Sequence, residues 1–530
     1  MVRKNWLWNP VFLLVGCAAL ALSIFRPNNP VWIAAWIAPV FLIRFVRSSR
    51  WAAAAGLGFL TVQAAIFVGM IPLFSMVGTS TVKVDAGFML IWQIKSGMLL
   101  LAPATLVPFL LDKALYTRLP RWATALVYPT AVVVVELLFA RTTGTLGTLG
   151  ESQYSLRPLV MTSSLFGLAG ISFLISWSAS IINDLWEGDW SIRNLGRQAI
   201  VYAAVTGSLL LYGGLAIAFP LRTDSSVPIA GITTDVVFED RMGESGLSLT
   251  DISKLSPAEY ARIVRSSDSQ IDEMRRKTTE AIERGAKIIV WQEVSLLLEP
   301  VVADSLLEDM QKLADTANVY LLVSYERLLG AGERQGHPMR NCSVLFTPEG
   351  ERGWEYAKAY PAAGFEDVFT EAGTHDIPAV DTPYGRIGQV ICADMFHPYY
   401  LRQAGLREID LLLVPSWDTM AYTPFITFAS AFRAVENGFT MIRIAGEGHS
   451  GVIDPYYRHW AGQDSFFVGA VNFHANIPVV SRSTVYTAAG FAFPYLATVG
   501  LMLLVGWAII RNVRAKSSKK AGSLRRNSIP

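Results

Sequence analysis

Long apolar runs broken by short polar stretches fill the first two fifths of the chain, and then the pattern changes. Apolar runs lie near 11–25, 31–46, 51–77, 86–112, 122–140, 158–182, 199–219 and 488–510. Crossing ~30 Å of hydrocarbon as a helix takes about 20 such residues, so the pattern predicts about eight membrane spans. The first two runs are the shortest. The first also resembles the apolar part of a signal peptide, but no small-residue cleavage site follows it and further apolar runs come at once.

From 222 to 486 the apolar positions are spaced as in a soluble domain. Segments 227–235, 286–294, 319–326, 341–350, 385–395, 409–417 and 440–445 are apolar and β-branched between turn residues, which predicts buried strands. Residues 256–284 carry Ile263, Ile271, Met274 and Ile282 at helical spacing and stop at Gly285. Strands alternating with helices predict an α/β domain, two sheets with helices outside. The expected organisation is a membrane domain over 1–221 with seven spans, an α/β domain over 222–486, a final span over 487–511 and a basic tail over 512–530.

Composition sharpens this division. Of 530 residues 52% are hydrophobic and 17% charged, against about 25% charged in ordinary soluble proteins. The net charge of +2 says little, but its placement says more. Arg3 and Lys4; Arg44, Arg47 and Arg50; Lys113, Arg118 and Arg121; Arg193 and Arg197; and the tail from Arg511 to Arg526 all fall on alternate loops. Positive loops stay cytoplasmic, so both termini are expected inside and the polar domain outside, on the periplasmic face of a bacterial inner membrane. The same rule accounts for the basic tail, leaving no signal for nucleic acid. Lys95 and Glu136 are ionisable residues within spans, near their expected outer ends.

The three cysteines, Cys17, Cys342 and Cys392, form no CxxC or Cys/His pattern, so neither a metal nor another cofactor is expected. The candidate chemistry lies at strand ends, where α/β folds build sites. Glu293 ends VWQE, Lys358 ends YAK, and Cys392 ends GQVIC. A cysteine nucleophile needs a base, which a buried carboxylate supplies, and a lysine stabilises the oxyanion that follows attack. Each of the three, taken singly, reads equally as core, cap or surface residue.

Taken together and in order, these segments resemble the nitrilase, or carbon–nitrogen hydrolase, superfamily. VWQE matches its glutamate base, YAK its lysine, GRIGQVICADMFHP its nucleophile segment, and RAVENG, with Arg433 and Glu436, a structural helix beside the site. The resemblance implies an αββα sandwich with Glu293, Lys358 and Cys392 catalytic, and with the Ala393 N–H completing the oxyanion hole. Within the superfamily the layout is similar to the apolipoprotein N-acyltransferase family, which places this domain between the last two of eight spans. VVVVELLFAR, with Glu136 and Arg141, and Glu366, eight residues after Lys358, support that likeness. It implies an acyl chain taken from a phospholipid onto Cys392 as a thioester and passed to the amine of a diacylglyceryl-cysteine lipoprotein.

Several segments depart from that family's pattern. Ala393-Asp394 replaces Tyr-Glu, GTLGTLG at 144–150 replaces Gly-Phe-Pro-Trp, and Ser416-Trp417-Asp418 replaces Asn-Asp-x-Trp-Phe, with Trp417 a candidate to line the acyl pocket. Only 33 residues separate Lys358 from Cys392, a length nearer to soluble hydrolases. A membrane-anchored amidase or nitrilase using water as acceptor is therefore the second reading, and a non-catalytic scaffold the third.

Overall fold

The computed structural model describes residues 8–76, 86–187, 197–221, 223, 225–234, 267–329, 337–363, 366–418 and 421–526. The first part of the expected 256–284 helix, Arg3, Lys4 and Arg193 lie outside them.

The apolar runs fold as helices: α1 (Asn9–Leu22), α2 (Trp32–Ser48), α3 (Trp51–Gly69), α4 (Ala86–Ser96), α5 (Ala102–Leu115), α6 (Val127–Thr142), α7 (Ser163–Glu187) and α8 (Arg197–Ala218). A π-helical turn, Gly97–Leu101, joins α4 to α5. Among the described residues six stretches are long and apolar enough to cross a membrane: Trp51–Leu73, Gln93–Leu115, Arg121–Thr142, Ser163–Glu187, Arg197–Ala218 and Ala492–Arg514. The 14 residues of α1 rise only ~21 Å, and α2 has 17 residues, so the two shortest runs fall below that length. The chain is a multi-pass membrane protein.

Arg44 and Arg47, read from sequence as loop charges, lie inside the last turns of α2. Arg47 grips Asp112 of α5 through two bonds of 2.7 and 2.9 Å and faces Asp184 and Glu187 of α7 at 3.4 Å. Arg44 pairs with Glu187 at 3.3 Å. Three helices are thus pinned together by paired rather than free charge, and these two arginines carry less weight in the orientation argument than the sequence alone suggested.

The polar region forms two stacked sheets. The first runs β13-β1-β2-β4-β5-β6 with β3 added to β4; the second runs β12-β11-β10-β9-β8-β7. Strands β1 (Ser226–Ile232), β2 (Ile288–Trp291), β4 (Tyr320–Leu328), β5 (Met339–Phe346), β8 (Gly385–Gln389), β9 (Leu411–Trp417) and β10 (Thr440–Gly446) are the seven expected from sequence. The remainder are β3 (Leu297–Leu298), β6 (Arg352–Ala357), β7 (Ala379–Thr382), β11 (His449–Ile453), β12 (His459–Asp464) and β13 (Phe473–Pro478). The central strands of each sheet are parallel neighbours and almost wholly buried, as continuous apolar runs require. The sheets approach closely where Gly231 lies under Ile444; a Cβ there would fall 2.4 Å from the isoleucine Cδ1.

Helices α9 (Ser267–Glu283) and α10 (Pro300–Ala317) flank the first sheet, the latter closed by Asn318 in the left-handed region. Helices α11 (Pro398–Leu406) and α12 (Phe432–Asn437) lie beyond the second sheet, followed by α13 (Val485–Ala489) and the long α14 (Ala492–Arg526). The α11–α13 layer rests on the membrane helices. The kink of α7 at Gly167, where φ is +67°, exposes the Leu168 N–H, and buried Glu436 of α12 accepts it at 2.9 Å.

Candidate active site

Glu293, Lys358 and Cys392 converge where ends of the two sheets meet. Glu293 follows β2 and is 2% exposed; Lys358 follows β6 and is 1% exposed. Their side chains meet at 2.7 Å between Nζ and Oε1. The ammonium also reaches Glu366 Oε2, and that carboxylate oxygen is held by the Ala362 N–H at 2.7 Å. One buried lysine therefore bridges two carboxylates. Glu366, singled out in the sequence eight residues after Lys358, is the second of them.

Cys392 begins the 3-10 turn Cys392–Phe396 with φ at +41°. A non-glycine residue pays for that conformation, which turns the chain sharply as it leaves the β8 sheet. Its thiol meets the Trp417 carbonyl at 3.7 Å, a weak sulfur hydrogen bond, while the Trp417 N–H donates to Glu293 Oε2 at 2.8 Å. The two chemical groups thus meet across the main chain of a single residue. For Trp417 the main chain holds the site, while its indole Nε1 is buried and finds no acceptor among the described residues.

Asp394 occupies the core of the turn that begins at Cys392. It accepts the Ile391 N–H at 2.8 Å, the Tyr360 N–H at 2.8 Å and the Tyr356 hydroxyl at 2.6 Å. The shorter carboxylate is thus fully engaged. Ala393 packs with Phe396, Tyr154, Phe425 and Tyr422 in a small apolar cluster between turn and bundle. Arg433 pairs with Glu436 at 2.6 Å, placing both on the α12–α7 contact.

Sequence reading missed Asn341 of β5. Its Nδ2 donates to Glu293 Oε1 at 2.8 Å, and its carbonyl accepts the Lys358 N–H at 2.9 Å. Its only sequence signal is a polar residue inside a buried strand. Also unforeseen is the bidentate pair of Arg443 and Asp418, at 2.7 and 2.6 Å, fully buried beside the cysteine.

Electrostatics follow from burial. Desolvation raises Glu293 above the ordinary carboxylate range, against the pull of Lys358 and the donor from Asn341. Burial alone would lower Lys358, but Glu293 and Glu366 overcome it and hold the ammonium protonated. Burial and then Glu293 push the Cys392 thiol up, with Lys358 opposing. Burial lifts Asp394 to about 6 despite its three donors. The resting site holds a protonated thiol beside Glu293 and the Lys358 cation.

Two family models match in tandem, the apolipoprotein N-acyltransferase N-terminal domain over 17–181 and the carbon–nitrogen hydrolase over 261–468. The chain is 24% identical to an apolipoprotein N-acyltransferase of Geobacter metallireducens, over 94% of this chain and 95% of that one. Together these matches support a divergent apolipoprotein N-acyltransferase of the carbon–nitrogen hydrolase superfamily. Nitrilase 2 of Arabidopsis thaliana is 28% identical over 21% of this chain, a match that spans only 31% of the plant protein. The crystal structure of an amidase from Nesterenkonia sp. has 17% identity over 49% of this chain and 94% of its own, with a TM-score of 0.38.

Proposed function

We propose that this protein is a membrane N-acyltransferase of the bacterial inner membrane that moves a fatty acyl chain from phospholipid to the amine of a lipoprotein's diacylglyceryl-cysteine. The observation that carries the reading is the end-to-end match to an apolipoprotein N-acyltransferase, which includes the bundle as well as the hydrolase fold.

In the first half-reaction Glu293 takes the thiol proton as Cys392 Sγ attacks the lipid ester carbonyl. Lys358, with the Ala393 N–H, stabilises the oxyanion. Collapse breaks the ester C–O bond, and the proton held on Glu293 goes to the departing glyceryl oxygen, releasing lysophospholipid. In the second half the acceptor amine attacks the thioester, Glu293 takes the ammonium proton, and the thiolate leaves and regains it. Glu366 and Asn341 act as positioning residues for Lys358 and Glu293. The periplasmic placement of the 222–486 domain belongs to the same proposal.

The similarity of the 261–468 segment to nitrilases and amidases favours one second reading, water as the acceptor. Intact-mass analysis after incubation with phosphatidylethanolamine, beside Cys392→Ala, separates them. An acyl adduct on the wild type, absent from the variant and discharged by a diacylated lipopeptide amine, supports the transferase. Discharge by water at the same rate with or without the lipopeptide overturns it.

A further inference from the structure

Arg141 stands at the end of α6 with its guanidinium exposed. Its Nε donates to the Tyr399 hydroxyl at 3.0 Å, and Nη2 reaches the Tyr495 hydroxyl. The guanidinium lies 4.4 Å from the Tyr399 ring centre. No carboxylate among the described residues comes within ion-pair distance of it. Tyr399 is itself fixed, stacked on Phe491 at 3.6 Å with rings 6° apart. One turn along α11, Arg402 donates to the Thr487 and Ala488 carbonyls, at 3.0 and 3.1 Å, again with no carboxylate at ion-pair distance among the described residues.

Three elements therefore supply one cationic, hydroxyl-bearing surface: a membrane helix, the first helix after the nucleophile turn, and the start of the last membrane helix. Phenols keep the guanidinium in place without neutralising it, and a planar fork with free donors matches phosphate oxygens. Aromatic rings with hydroxyls at the end of a span are suited to the headgroup layer. The surface is also tied to the chemistry. Four residues after Arg141, Thr145 donates its N–H and its hydroxyl to the Phe396 carbonyl, at 2.9 and 3.2 Å, and Phe396 closes the turn that begins at Cys392.

We infer that Arg141, with the Tyr399 and Tyr495 hydroxyls, binds the phosphate of a glycerophospholipid and so holds the acyl donor beside the nucleophile turn. The inference rests on the acyl-transfer reading for the use made of that lipid, but binding itself needs no chemistry.

The test uses full-length protein carrying Cys392→Ala, so that nothing turns over, with and without Arg141→Gln, Arg141→Lys or Tyr495→Phe. Native mass spectrometry in detergent counts retained dioleoyl phosphatidylethanolamine, dioleoylglycerol or glycerol 3-phosphate. Expected are retention of the phospholipid but not the diacylglycerol, a tenfold or greater loss in Arg141→Gln, and partial rescue in Arg141→Lys. Equal retention of diacylglycerol, or unchanged phospholipid binding in a folded Arg141→Gln protein, overturns the site. Glycerol 3-phosphate binding as tightly as the lipid assigns the phosphate to a soluble ligand and overturns the donor role. Because no acyl transfer is read, these failures are distinct from failure of Cys392 to become acylated.

Discussion

The side-chain amide of Asn341 donates to Glu293 at 2.8 Å, on the same carboxylate oxygen that takes Lys358. A hydrogen bond to a charged group is worth ~1.5–3 kcal/mol. Asn341→Leu should therefore slow Cys392 acylation by about 10–100-fold. Losing a donor to the carboxylate raises its pKa further, so the acidic limb of the rate profile should move to higher pH. Single-turnover acylation followed by intact mass from pH 5 to 9 reads both effects, and a slower rate with an unmoved limb would deny the positioning role.

Burial and Glu293 push the Cys392 thiol up, so its uncatalysed alkylation should keep rising with pH beyond the ordinary thiol range. Peptide mass mapping after iodoacetamide treatment should show no plateau by about pH 9. A plateau near neutrality would mean a resting thiolate and leave Glu293 without its role as base.

Lys358 is the cation between two buried carboxylates. Removing one partner of a buried pair costs about 3–5 kcal/mol. Lys358→Met should abolish acylation and also lower the thermal midpoint, whereas Cys392→Ala should abolish acylation with little change in stability. Differential scanning fluorimetry on the two variants separates the effects; equal midpoints would show that the pair contributes little to folding.

Gly167 sits at φ +67° in the kink of α7, and a Cβ there would meet the Tyr486 ring at 2.6 Å. With ψ at −175° this is a conformation nearly confined to glycine, costing another residue ~1–3 kcal/mol, and the clash adds to it. Gly167→Ala should lower the midpoint and speed hydrogen exchange at Leu168, whose N–H is held by Glu436. Unchanged exchange there would mean that the α7–α12 contact tolerates the shift.

The convergence of Glu293, Lys358 and Cys392 was legible because each sits in a short local motif at or near the end of a strand. Glu293 and Cys392 each follow a strand whose burial marks the sequence, whereas Lys358 follows the half-exposed β6, and Glu366 follows Lys358 at fixed distance. Asn341 and the Trp417 main chain were not legible: one acts from mid-strand, the other through main-chain atoms that every residue possesses. The missed strands were mostly short or half-exposed. β12 is nowhere fully buried, and β13 pairs with β1 across more than two hundred residues, a contact that leaves no local periodicity. In the bundle, Arg44 and Arg47 look like loop residues because their partners, Asp112, Asp184 and Glu187, are far along the chain.

The bonds from Thr145 to the Phe396 carbonyl have a consequence for where the reaction happens. The bundle sets the position of the Cys392 sulfur relative to the membrane helices, like a blade clamped at one depth. In the proposed reaction a lipid drifting sideways in its own leaflet would meet it without being lifted into water, and a fragment cut at residue 222 would retain the reactive groups but lose the clamp.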